Sequence, residues 1–341
     1  MANNDWQEFQ FIQGAVFNNA TIVSFGNLQN ELLCTEQGDI LCDLSHLATL
    51  SLSGDDALTF LQGQVTNDVN LLGMDKAHYT GYCSAKGRLL ALFLAYRTVQ
   101  GLHLQFNNKL ADTIAKRLKM YIMRAKVTLH NSSDDTVKLG VSGPHVTQAL
   151  SAFFAAIPTQ TYGISHNENG SLIRLSGKLP RFEIVCDTET AKRLWSALKK
   201  TCKPVGKACW EWLEIQVGIP DISAHTQEAF VPQMVNLDKL NGINFKKGCY
   251  TGQEIVARTH YLGKIKRRTQ LLHLPSSVPP QAGTEVLSNS QEVVGMVVRT
   301  APTPKGGYDV LAEVRLDSLE AGDLVINGVA AVMQTLPYSL D

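Results

Sequence analysis

The 341 residues are 44% hydrophobic and 18% charged, a composition that excludes a disordered or fibrous chain, and the length predicts two or three domains at roughly 150 residues each. Lys+Arg and Asp+Glu each number 31, so the formal net charge is zero, which as an average argues against a nucleic-acid or membrane partner. The average hides an uneven chain: residues 1–75 carry ten acids and no Lys or Arg, residues 86–126 carry nine basic residues against Asp112, and residues 241–270 carry seven against Glu254.

Met1–Gly14 has neither the basic start and apolar run of a secretory signal nor the Arg-rich character of a transit peptide. The protein is therefore expected in the cytoplasm, with no membrane partner. Leu89–Tyr96 is the longest strongly apolar stretch and is too short to span a bilayer. Leu89–Tyr96 and Leu102–Phe106 read as a hairpin. Lys109–Arg124 reads as a helix, with Leu110, Ile114, Leu118 and Tyr121/Ile122 on one face and Lys109, Lys116, Arg117 and Lys119 on the other.

Further on, Val137–Val141 is a predicted strand, Pro144–Ile157 a helix, Ser171–Leu175 and Arg181–Cys186 two strands, and Thr190–Lys200 a helix with Leu194 and Leu198 inward. That β-α-β-β-α order is most of a ferredoxin-like unit. Residues 208–218 read as helix, stopped by Pro220. Four strands follow at Thr269–Leu274, Glu292–Thr300, Tyr308–Arg315 and Asp323–Met333, which predict a small C-terminal β-barrel or sandwich. The fold class is α+β.

Cys34, Cys42, Cys83, Cys186, Cys202, Cys209 and Cys249 show neither a CxxC pair nor a zinc-ligand spacing, so free thiols and no metal site are expected. No dinucleotide fingerprint, P-loop, HExxH or GxSxG motif is present. The densest cluster of unusual residues runs from Asn244 to Gly263, where Cys249 stands among Lys246, Lys247, Arg258 and His260. Fixed positive charge favours a thiolate, and Gly248 and Gly252 permit tight turns. Residue types alone equally allow Cys249 to be a small buried side chain in a glycine turn. A thiol hydrolase using Cys249 and His260 would need the imidazole within hydrogen-bond reach.

The string Lys247-Gly-Cys-Tyr-Thr-Gly-Gln-Glu-Ile-Val-Ala-Arg258 resembles the signature of the YgfZ family, folate-binding relatives of the glycine-cleavage T-protein. Leu52-Ser-Gly-Asp-Asp-Ala-Leu-Thr-Phe-Leu-Gln-Gly-Gln-Val-Thr-Asn-Asp68 is similar to the N-terminal segment of the whole superfamily. Asp43–His46, Ala85–Arg88, Phe230–Leu237 and Leu336–Leu340 extend the likeness over nearly the full chain. The resemblance implies a three-domain ring around a folate cavity. Its expected parts are an N-terminal folate-binding domain (1–135), a ferredoxin-like domain (136–205), a return segment completing the first domain (206–265) and a β-barrel (266–341). It also implies a role in iron–sulfur-dependent processes, with tRNA methylthiolation enzymes as partners and Cys249 as the working thiol. A transient contact with an iron–sulfur cluster is one chemistry open to that thiol.

A folate needs an aromatic wall, polar groups for the pterin edge and cations for its anionic tail. Trp210 is the stacking candidate, with Trp212 expected in the core, and Lys247 and Arg258 are candidates for the tail. Gln216 stands where T-proteins carry the pterin-binding glutamate, and Gln253 stands where they carry an arginine. Asp68 matches their catalytic aspartate, although an Asn-Asp turn would also place it there. Keeping the aspartate while changing its companions favours ligand binding over turnover. A tetrahydrofolate-dependent one-carbon transferase using Asp68 is the alternative. Direct tRNA binding through the basic windows ranks third, and the two windows are expected to converge on one face around the cavity.

Overall fold

The run Leu89–Tyr96 is apolar without alternation because both faces of its strand are covered. In the computed structural model, which describes residues 4–319, 322 and 324–340, it lies in a five-stranded sheet. The order is His78–Cys83, Leu89–Thr98, Gly101–Asn107, Leu47–Ser53, Thr128–Asn131. The expected hairpin closes at Thr98 opposite Gly101. Gly101 makes that turn at φ +138°, where a Cβ would come 2.3 Å from the Leu52 carbonyl oxygen. The expected helix is Ala111–Ile122, which buries Ile114 and Leu118 and leaves Lys116, Lys119, Met120 and Tyr121 exposed.

A second sheet has the order Ile164–Asn167, Gly170–Leu175, Arg181–Cys186, Val137–Ser142, Ile40–Asp43, Lys203–Val205. It recruits a strand from the front of the chain: Ile40–Asp43 pairs antiparallel with Val137–Ser142 and parallel with Lys203–Val205. Four wholly buried residues carry no period by which sequence could place them. The helix expected over Pro144–Ile157 is only Val146–Leu150. Beyond it, Nδ2 of Asn167 and of Asn169 donate to the Phe153 carbonyl oxygen at 2.7 and 2.6 Å, and Ser151 Oγ closes onto the Gln148 carbonyl. Side chains thus take the bonds that another helical turn would have used. Helix Thr188–Leu198 is N-capped by Asp187, which accepts from Thr190 N at 2.9 Å.

The last sheet closes into a six-stranded barrel in the order Arg267–Leu274, Tyr308–Arg315, Val293–Pro302, Glu285–Ser288, Leu324–Ile326, Val329–Gln334. The single strand expected over 323–333 is two, separated by Asn327 (φ +51°) and Gly328 (φ +78°), the left-handed pair of a tight hairpin turn. Asp323 itself lies outside the described residues. Closure removes the free sheet edges, and Leu272, Val286, Val297, Val310, Ala312 and Ile326 fill the interior.

Helix Lys207–Gln216 packs on two barrel strands, Val293–Pro302 and Tyr308–Arg315, and on Ile40–Asp43 of the second sheet. From it the chain returns to the first sheet. Leu89 N donates to the Phe230 carbonyl, Glu228 N to that of Leu89, Asn244 N to that of Thr66, and Thr251 N to that of Gly63. No helix among the described residues is long and apolar enough to cross a membrane.

Candidate functional site

The loop that carries Cys249 is fastened from beneath. Lys247 is buried, and its Nζ donates to the carbonyl oxygens of Gln62 (2.7 Å), Val65 (2.6 Å) and Asn67 (2.8 Å). Those bonds use all three ammonium hydrogens, leaving none for the tail of a ligand. Burial lowers the Lys247 pKa to about 8, with Asp68 opposing the shift. Two glycines interlock this loop with the Lys86–Arg88 turn. Gly252 has φ +83° and a Cβ there would lie 2.4 Å from the Ser84 carbonyl oxygen, while one on Gly87 would lie 2.7 Å from Ile255 Cβ. The Lys86–Arg88 turn of one basic window therefore packs on the helix Gln253–Tyr261 of the other. No basic residue of either window lines the cavity beside Trp210, so the expected convergence around that cavity is not seen.

Cys249 stands exposed on this anchored loop. The other described cysteines are half-buried or buried, and burial pushes the thiols of Cys83, Cys186 and Cys209 up to about 12 and that of Cys202 to about 11. His260 stacks on Phe245 with ring centroids 3.7 Å apart. Arg258 is exposed on the same helix.

Asp68 is half-buried, and its Oδ1 accepts from Asn70 N (3.0 Å) and Gln62 Nε2 (2.9 Å), capping the turn Val69–Leu71. It is close enough to Lys247 and His78 to act on the charge of both. Burial, Lys76 and Lys247 lower the His78 pKa to about 4, and its Nε2 is buried without a hydrogen-bond partner. The structure thus gathers Asp68 and Lys247 with a histidine that the sequence reading passed over.

Trp210 lies elsewhere, at the junction of the three sheets. It is 2% exposed. One face is pressed by Gly140, where a Cβ would come 2.6 Å from the ring, and the Arg181 guanidinium lies 5.1 Å from the ring centroid. Trp210 lines a cavity of about 70 Å³ with Leu94 and Gln105 of the first sheet, Glu183 of the second, Arg299 of the barrel, and Glu214 one helical turn on. Glu214 pairs with Arg181 at 2.9 Å, and Arg299 with Glu211 at 2.7 Å. Gln105 Nε2 donates to Glu183 Oε2 at 2.9 Å, which leaves Gln105 Oε1 and Glu183 Oε1 buried without partners. Burial raises the Glu183 pKa to about 7. Two orphaned acceptors beside an aromatic wall suit a flat heterocycle that offers N–H donors along one edge.

Tyr79 lines both this cavity and a surface cleft of about 320 Å³ formed with Lys76, His78, Gln160, Tyr162 and Asn241. The Tyr79 and Tyr162 rings meet edge to face at 5.5 Å. Tyr162 is held at φ +63° by bonds from Tyr162 N to the Arg174 carbonyl and from Ala77 N to its own carbonyl, both 2.7 Å. The tyrosine pair separates the buried cavity from the cleft. A cavity of 70 Å³ is smaller than the ~300 Å³ of ordinary ligand pockets, and moving this pair would join it to the cleft.

Gln216 is not brought to Trp210. Its Nε2 donates to Asp309 Oδ2 at 2.8 Å, beside Trp212 Nε1 at 2.9 Å, on the opposite face of the helix. The carboxylates near Trp210 belong instead to Glu214 and Glu183, which sequence reasoning missed. A signal existed: Arg181 and Glu183 alternate with Phe182 and Ile184 in a strand buried throughout, and charge on one face of an interior strand marks a polar chamber.

The GCVT N-terminal domain family matches residues 6–244. The chain is 33% identical over 309 residues to the tRNA-modifying protein YgfZ of Yersinia pestis (strain Pestoides F), covering 88% of this chain and 92% of the relative. It is 30% identical over 306 residues to the protein of that name from Sodalis glossinidius (strain morsitans), with 88% and 93% covered. The glycine cleavage system aminomethyltransferase T of Bartonella henselae superposes with a TM-score of 0.75 at 18% identity, over 98% of this chain and 96% of that one. That last likeness is one of fold.

Proposed function

Because the chain belongs to the YgfZ family and carries its GCVT N-terminal domain, we propose that it is a folate-binding accessory protein that supports tRNA modification. In this reading it acts on iron–sulfur enzymes such as tRNA methylthiolation enzymes, through the thiol of Cys249. The observation that carries the folate part is the chamber at the three-sheet junction, where Glu183 Oε1 and Gln105 Oε1 lack partners beside Trp210. A pterin edge supplies the N–H donors such a pair of acceptors requires. A bound reduced folate contributes an oxidisable ring and a carrier for one-carbon units.

The residues divide the work. Trp210 walls the ring, Glu183 and Gln105 accept from its edge, and Arg181 holds Glu214 in place. Lys76, exposed at the cleft, is the cation best placed for an anionic tail, since Lys247 is committed to three carbonyls. Cys249 is presented to a macromolecular partner from a loop too firmly anchored to fold away. Aminomethyl transfer through Asp68 draws less support, because Asp68 Oδ1 is already engaged in capping its own turn.

Tetrahydrofolate titrated into the purified protein should quench tryptophan fluorescence. At a pH above 7, where the Glu183 carboxyl is ionised, Glu183→Gln should weaken that binding about tenfold, the value of a hydrogen bond to a charged group. Quenching unchanged in Glu183→Gln and in Trp210→Phe would overturn the cavity assignment.

A further inference from the structure

Beside the thiol loop lies a stretch of surface whose charge is unspent. Lys246, Arg258, Lys264 and Lys266 are exposed, and none of them forms an ion pair among the described residues. Lys86, exposed and likewise unpaired, is delivered to the same helix by the contact of Gly87 with Ile255. Some surface cations find partners: Lys126 with Asp55, Lys192 with Asp5 and Glu189, Arg315 with Glu292 and Asp317. Lys109, Lys116, Lys119 and Lys200 are likewise exposed without an ion pair among the described residues, so it is the neighbouring rings that set this patch apart. Glu254 is the only acid between residues 245 and 266.

Within this charge stands an aromatic platform. Phe245 and His260 stack with centroids 3.7 Å apart and planes 11° from parallel. Tyr261 meets His260 edge-on at 4.7 Å and is 64% exposed. Cations alone would suit any polyanion, but exposed rings among cations suit a ligand that offers phosphates and an unstacked base together. A base inside a duplex cannot reach such a platform, whereas one in a loop can. A nine-residue helix with a single buried position, Val256, has no broad apolar face with which to lie in a membrane.

We infer that the surface formed by Lys86, Lys246, Arg258, His260, Tyr261 and Lys264–Lys266 binds the unpaired loop of a folded RNA and holds it beside Cys249. The inference rests on the charge and rings of this segment and stands whether or not the cavity binds folate. It makes the RNA a direct ligand of this chain.

Fluorescence anisotropy with the full chain, a labelled RNA stem-loop and a fully paired control of equal length tests it. The stem-loop should bind more tightly than the paired control. Its dissociation constant should rise with salt, with a log–log slope of about 0.7 for each phosphate contacted. Tyr261→Ala should weaken stem-loop binding about tenfold and leave that slope unchanged, whereas Lys264→Gln with Lys266→Gln should reduce the slope. Equal affinity for both RNAs, no loss in Tyr261→Ala, or competition by poly-glutamate or anionic lipid vesicles as effective as that by RNA would overturn it. Tetrahydrofolate quenching, measured on the same preparations, reports separately on the cavity.

Discussion

The chamber around Trp210 and the loop around Cys249 are assembled from the same ingredients to opposite ends. Both combine buried charge with glycines that admit close contact. In the chamber, Gly140 lets Trp210 lie against a strand while Glu183 and Gln105 keep two acceptors without partners. In the loop, Lys247 has every donor occupied and Gly252 locks the backbone to the neighbouring turn, so that one small side chain can be left outside. A site for a small ligand keeps unsatisfied groups inside. The loop satisfies its interior and puts one thiol in water, the arrangement that the proposed macromolecular partner requires.

Cys249→Ser separates the two regions most sharply. Methylthiolated tRNA in a deletion strain carrying the variant should fall to the level of the deletion, while stability stays within about 0.5 kcal/mol, as for other exposed positions. Retained methylthiolation would break the division of labour. Trp210→Ala should cost about 3–5 kcal/mol in a urea melt and abolish folate quenching. Lys247→Met leaves three carbonyls without their donor and should cost about 1–3 kcal/mol, with folate affinity preserved if loop and chamber are independent.

Smaller effects sharpen the comparison further. Burial raises the Glu183 pKa from 4.5 to about 7, so between those values the folded chain holds a proton that the unfolded chain has released. Its contribution to stability is therefore greatest at acid pH and is lost as pH rises towards 7. Glu183→Gln should remove that decline from a stability–pH profile, and an unchanged profile would show the carboxyl to be ionised throughout. Gln216→Ala should have the least effect, about 1 kcal/mol for one of four donors to Asp309, with no change in folate affinity.

The legible parts of the sequence were those with a period or a turn. The Leu89–Phe106 hairpin, the amphipathic helix after it and the strands Thr269–Leu274 and Tyr308–Arg315 were all readable, because side-chain spacing encodes the local backbone. Ile40–Asp43 was not, since its identity as a strand comes from two partners more than ninety residues away. In the candidate site, the glycines and lysines around Cys249 marked the tight turn and the anchoring that the loop shows. The position of Gln216 was misleading because its placement followed a sequence correspondence. A helix turns 100° per residue, and that rotation decides which of Glu214 and Gln216 faces the chamber.

The placement of Ile40–Asp43 has a consequence for how the chain is born. Its antiparallel neighbour, Val137–Ser142, leaves the ribosome about 95 residues later, which at about 5–20 residues per second is a wait of roughly 5–20 s. Until then the segment Ile40–Asp43, apolar at three of its four positions, has no strand partner, and the parallel partner Lys203–Val205 arrives later still. The second sheet therefore cannot close until both partners have emerged, and removing the first 75 residues would leave it without the strand between them.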